Sequence, residues 1–237
     1  MKRTLRSIYR RLSAHYGHTG WWPGDSAFEI AVGAVLTQNT AWMNVERAIA
    51  NLKCAKLLTP RKILACEDGV LEEALRPSGY FRVKARRLRN FCQHLVDQHR
   101  GSIKRMARVP LETLRPALLE VNGIGPETAD DILLYACGKP VFVVDAYTRR
   151  ILARHGLAKQ DIGYEELRAL FEKHLPQEIP LFQEYHGLIV YTGKDFCRRT
   201  PRCGECPLSG MLKPGQPVGC EVAQSKKHRK KQRDRKT

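Results

Sequence analysis

Residues 119–145 constrain this chain more than any other stretch. They read Leu-Glu-Val-Asn-Gly-Ile-Gly-Pro-Glu-Thr-Ala-Asp-Asp-Ile-Leu-Leu and, after a short turn, Val-Phe-Val-Val-Asp145. Gly123-Ile124-Gly125 predicts a tight turn between two helices. Pro126 falls at the first position of the second helix, where its missing N–H costs nothing. The two glycines allow a sharp turn and a close approach of backbone to a ligand. The N–H groups at that helix start can then hold a phosphate. A hairpin of this kind grips a nucleic-acid backbone without reading bases. About 20 residues on, an apolar run ends in the carboxylate of Asp145.

The rest of the pattern is helical. Apolar residues recur at helical spacing over Leu5 to Tyr16. Ser26 is placed to cap a helix through Val35, and a second runs from Ala41 to Leu52. Further helices are expected over Arg61 to Ala65, Val70 to Leu75, Val83 to His99, Leu111 to Glu120 and Thr128 to Cys137. Three more follow over Tyr147 to His155, Tyr164 to His174 and Leu181 to Thr192. Only Val141 to Val144 looks like a strand, and it is too short to build a sheet. The expected class is all-α.

The net charge is +17 over 237 residues, which points to a polyanionic partner. Residues 226–236 hold eight Lys/Arg and one Asp, a net of +7, so the remaining 226 residues still carry +10. Residues 223–237 are expected to form a basic, disordered tail. No apolar run of ~18 residues or more suggests a membrane span. The charged start Met1-Lys2-Arg3-Thr4-Leu5-Arg6 lacks the apolar core of a signal peptide. A cytoplasmic, nucleoid-associated monomer is the expectation.

Disulfides are unexpected in that compartment, so the cysteines need another account. Cys197, Cys203, Cys206 and Cys220 form C-x5-C-x2-C-x13-C in a stretch poor in large apolar groups. Four thiolates in one loop suit an iron–sulfur cluster or zinc, and the asymmetric spacing leans toward [4Fe–4S]. Cys54, Cys66, Cys92 and Cys137 fall in predicted helices and read as small buried residues.

Together these features resemble the helix-hairpin-helix DNA glycosylases. The resemblance is carried by the hairpin Val121 to Ala129, by Val143-Val144-Asp145, and by the C-terminal cysteine loop, which looks like the [4Fe–4S] loop of the endonuclease III branch. It covers roughly residues 20–222, although the last cysteine gap is longer here. It implies two helical domains flanking a DNA-binding groove. One is a six-helix barrel over 23–139, and the other is an iron–sulfur domain of 1–22 plus 140–222. The partner is double-stranded DNA with a damaged base, which is flipped out for the chemistry. Asp145 matches the catalytic carboxylate. Breaking an N-glycosidic bond leaves a cationic, oxocarbenium-like sugar that a carboxylate stabilises. Asp145 could also simply cap the helix that follows it.

One departure matters. Bifunctional endonuclease III enzymes carry, at the position of Glu127, a lysine that forms a Schiff base and nicks the strand. A glutamate cannot form an imine, so the resemblance implies a monofunctional enzyme. Trp21-Trp22-Pro23, Ala34 to Thr40, Arg76 to Phe81 and Ala129 to Leu133 are similar to the type III 3-methyladenine DNA glycosylases. That match places Trp22, Pro23 and Trp42 around an alkylated purine, whose cationic ring suits stacking, with Lys194 nearby. Gln38 matches the residue that fills the gap left by the flipped base, and Tyr80 a wedge. Gly123, Ile124, Gly125 and Thr128 complete the expected DNA contacts. Two alternatives stay open: a glycosylase/lyase for oxidised or mismatched pyrimidines, and a non-catalytic damage-binding protein.

Overall fold

The computed structural model describes residues 1–211 and is all-α, with no strand among them. The expected tail and Cys220 lie outside the described residues. The chain divides into two compact units. One is Met1–Trp21 together with the described residues from Val144, and the other is Trp22–Val143.

In the first unit, α1 (Lys2–Tyr16) buries Leu5, Ile8 and Leu12 on one face. The second unit holds α2 (Ala27–Leu36), α3 (Trp42–Cys54), α4 (Pro60–Ala65), α5 (Asp68–Leu75), α6 (Phe81–His99), α7 (Ile103–Met106), α8 (Leu111–Leu119) and α9 (Pro126–Asp131). The chain then returns to the first unit for α10 (Ala146–Arg154), α11 (Tyr164–His174) and α12 (Ile179–Asp195).

Beyond Glu29 in its first turn, α2 is apolar on every side, and every residue from Ala31 to Leu36 is buried, as a central helix requires. Its neighbours are α3, α6, α9 and the turn beyond α9. Ser26 caps it as expected, its hydroxyl accepting from the Glu29 N–H at 3.2 Å. In the first unit, α1 packs on α11 and α12. Tyr185 of α12 is fully buried, and its hydroxyl donates to the Leu5 carbonyl at 2.8 Å.

Three expectations need correction. Val141 to Val144 form no strand. All four are buried within 1% of zero exposure, in a segment of no regular structure, with no strand among the described residues to pair with. The β-branched run is therefore core filling. The second hairpin helix starts at Pro126, as its proline signals, but does not run on regularly to Cys137: it widens into a π-type turn over Ile132–Ala136. Of the four cysteines expected to be buried, Cys92 and Cys137 are, and their thiols are pushed up to about 12 by burial. Cys54 is exposed at the end of α3, two residues past the buried Leu52 and off its apolar face, and Cys66 is half-buried just past α4.

Lys84 of α6 is buried at 1% exposure. Its ammonium donates to the Leu36 carbonyl at 2.9 Å and the Ser78 carbonyl at 2.6 Å. It thus ties the end of α2 to the turn before α6. Burial, with a smaller push from Arg87, lowers its pKa to about 8. A lysine depressed in the fold weakens it while charged, and that penalty fades as pH rises from about 8 to the unfolded value near 10.4. Lys84→Met should therefore lose stability relative to the parent by a margin that grows over this range. Melting curves at pH 7 and pH 10 check this, and a constant margin would sink the account.

Candidate functional site

Asp145 opens α10. Its Oδ1 accepts from the Thr148 N–H and from the Thr148 hydroxyl, both at 2.7 Å. The capping role is therefore real. It leaves Oδ2 facing His186 of α12, 3.8 Å from its Nε2. The Asp145 side chain is 10% exposed and that of His186 4%. Burial alone would raise the Asp145 pKa. His186, the Thr148 amide and the Thr148 hydroxyl together outweigh it and hold the carboxyl below its usual value. The result is a sheltered carboxylate that stays ionised with one oxygen fixed. His186 was not singled out in the sequence. Nothing marks it there except its place on the helix expected over Leu181 to Thr192.

The close approach of α10 and α12 depends on Gly193. A methyl group there would run into the ring and Cβ of Tyr147, two residues after Asp145. Arg150 adds a bond to the Cys197 carbonyl at 2.6 Å.

The hairpin lies in the other unit. Gly123 has φ +96°, a conformation that side chains rarely adopt. Gly125 has φ −91°, and its Cβ position is open space. Only Gly123 is thus required by conformation, and Gly125 leaves room beside the helix start. Pro126 is the first residue of α9 and Glu127 the next, exposed in its first turn. Ile124 and Thr128 are buried at 4% and 5% and seat the turn. Behind it, Arg115 of α8 grips the fully buried Asp130 of α9 with two bonds, 2.7 and 3.1 Å. This ion pair clamps the hairpin's helices together.

Gln38 is tied to that hairpin. Its Nε2 donates to the Gly123 carbonyl at 3.1 Å and to Thr128 Oγ1 at 2.9 Å. Arg87 of α6 donates to its Oε1. Tyr80 stands at φ +46° in the left-handed region and is 73% exposed.

Trp22 meets Trp42 edge-on at 5.1 Å and Tyr135 at 5.2 Å. Both tryptophans pack over Gly33 of α2, where an added Cβ would lie 3.2 Å from Trp22 Nε1. Pro23 is exposed beside them. Tyr135 was missed because it reads as another core aromatic. Lys194 belongs to the first unit, where its ammonium lies 5.1 Å from the centre of the Trp21 ring.

Cys197, Cys203 and Cys206 line one recess with Ile151, Phe196 and Leu208. Arg154 of α10 donates to Cys197 Sγ at 3.3 Å and to the Arg198 carbonyl at 2.6 Å. Three soft thiols in an apolar recess beside a cation fit a thiolate-bound metal group in chemistry. Among the described residues no set of three ligating side chains has already closed on a metal position.

No described helix is long and apolar enough to cross a membrane. A family model described as HhH-GPD superfamily base excision DNA repair protein matches residues 32–177. A candidate DNA repair glycosylase of Methanocaldococcus jannaschii is 46% identical over 206 residues, 86% of this chain and 93% of that relative. An H. pylori 3-methyladenine DNA glycosylase solved with 1,N6-ethenoadenine is 31% identical, with a TM-score of 0.68 over 81% of this chain and 96% of that one. A trapped endonuclease III–DNA covalent intermediate superposes with a TM-score of 0.77, covering 91% and 97%. Its identity of 24% limits that likeness to fold.

Proposed function

The chain belongs to the HhH-GPD superfamily of base excision DNA repair proteins and is a DNA glycosylase of that family. On that premise we propose that it is a monofunctional enzyme that removes alkylated purines, 3-methyladenine among them, from double-stranded DNA. The observation that carries the reading is the Asp145 carboxylate, sheltered, ionised and fixed by Thr148, with Oδ2 toward His186.

In this reading the hairpin turn at Gly123 to Gly125 and the start of α9 take a phosphate, and Gln38 and Tyr80 enter the duplex. The flipped base stacks on Trp22 and Trp42. An N3-alkylated adenine already carries positive charge, so it leaves with little acid assistance. Asp145 then stabilises the sugar cation and orients the attacking water. The likeness to the H. pylori enzyme supports the substrate class. Glu127 in place of a lysine supports hydrolysis without strand cleavage.

Cys197, Cys203 and Cys206, with Cys220 beyond the described residues, would hold a [4Fe–4S] cluster, zinc being the alternative. When bound, such a group cross-links a loop that has little hydrophobic core of its own. Arg154 secures the loop from the protein side through Cys197 and Arg198.

Methylated DNA incubated with the protein tests the substrate class. Chromatography should show free 3-methyladenine, and none from a Trp22→Ala, Trp42→Ala double variant that still binds DNA. Release of thymine glycol alone would favour the pyrimidine reading.

A further inference from the structure

Gln38 has both ends of its amide engaged by one element pair. The nitrogen is held by the hairpin, at the Gly123 carbonyl and Thr128 Oγ1, and the oxygen by the Arg87 guanidinium. Arg87 also lies flat against the turn. A Cβ on Gly123 would sit 2.9 Å from Arg87 Cδ and overlap its Cγ. One turn further along α6, Asn90 donates to the Asn122 carbonyl at 2.9 Å. One face of α6 therefore grips the hairpin turn and, through Arg87, the side chain of Gln38.

From this geometry we infer that Arg87 is a positioning residue for base flipping: it locks Gln38 to the phosphate-gripping turn so that the two act as one rigid piece. The inference rests on the proposed roles of Gln38 and the hairpin. A glutamine free to rotate would have to be ordered on entering the duplex, at a cost in side-chain entropy. Here that ordering is complete before DNA arrives. Arg87 itself reaches neither base nor phosphate in this role. Its guanidinium is directed at Gln38, and its stem packs on a glycine at φ +96°, where a side chain would be strained and would meet Arg87 itself.

The test uses the full chain with Arg87→Met, Gln38→Ala and the double variant. Methionine keeps the packing stem and removes the donor. The duplex carries the lesion with 2-aminopurine beside it, whose emission rises when its neighbour leaves the stack. Affinity for undamaged duplex is followed against salt. Arg87→Met should lower the flipping signal about tenfold, the worth of one charge-assisted hydrogen bond. Undamaged-duplex affinity and its salt slope should hold. Because Arg87 acts through Gln38, the double variant should be no worse than Gln38→Ala, a full failure of additivity.

A salt slope shallower by about 0.9 in Arg87→Met would make it a phosphate contact and overturn the inference. So would additive losses. If the parent binds the lesion duplex tightly and raises no emission, the base-flipping reading itself fails and takes the inference with it. A normal parent signal with an unaffected Arg87→Met removes the inference alone.

Discussion

Asp145→Asn should lower single-turnover base release by about 10²–10³-fold, the usual cost of removing one electrostatic stabiliser of a developing charge. It should leave the fold almost untouched. Asparagine caps helices about as well as aspartate, and its Oδ1 can still accept from the Thr148 N–H as the carboxylate does. What it loses is the negative charge held beside His186. Activity and melting temperature measured together separate the two roles of this residue. A collapse of both would make Asp145 a structural cap first. Full activity in the variant would revive the reading of a non-catalytic damage-binding protein. The folded pKa lies below the usual aspartate value. The stability this carboxylate contributes is therefore complete above about pH 4 and lost as pH falls through the folded value. Asp145 should not limit base release anywhere near neutral pH.

The largest loss of stability is expected for Arg115→Met. Asp130 is fully buried, and Arg115 meets it with two bonds. Removing one partner of such a pair takes away the cation that balances a buried carboxylate, at about 3–5 kcal/mol. For a chain of this size that lowers the melting temperature by about 10 °C. The pair joins α8 to α9, so DNA affinity at the hairpin should weaken as well. Adding Asp130→Leu to Arg115→Met should recover part of the loss, because an apolar pair leaves no buried charge to balance. A double variant as unstable as the single one would show that Asp130 serves the fold through other contacts.

Much of this was legible from the sequence because it depends on local chemistry. Ser26, Pro126 and Asp145 each announce a helix start through capping rules. The structure places those starts at Ala27, Pro126 and Ala146. The periodicity of α1, α6 and α11 comes from one apolar stripe apiece and survives intact. Val141 to Val144 misled because a fully buried run reads as β whatever backbone it adopts. Cys54 differs because a cysteine's apolar character does not say which side of α3 it occupies, and it falls two residues past Leu52, off the buried stripe. The pairings of His186, Tyr135 and Arg87 were hidden for another reason. Each matters through a partner 41, 113 or 49 positions away, at Asp145, Trp22 and Gln38. Helical period tells which residues face inward and says nothing about which of them meet. The hairpin was readable in outline, but Gly123 and Gly125 turned out to differ in kind. One is bound by φ and by Arg87 packing, the other by neither.

The most direct test of the central claim takes three duplexes, bearing 3-methyladenine, thymine glycol or uracil. Each reaction with the purified protein is divided into samples with and without alkali. The account predicts strand breaks on the 3-methyladenine duplex after alkali only, the mark of an abasic site left by hydrolysis. Breaks without alkali on any duplex would contradict it, because a lysine elsewhere in the chain would then be doing what Glu127 cannot.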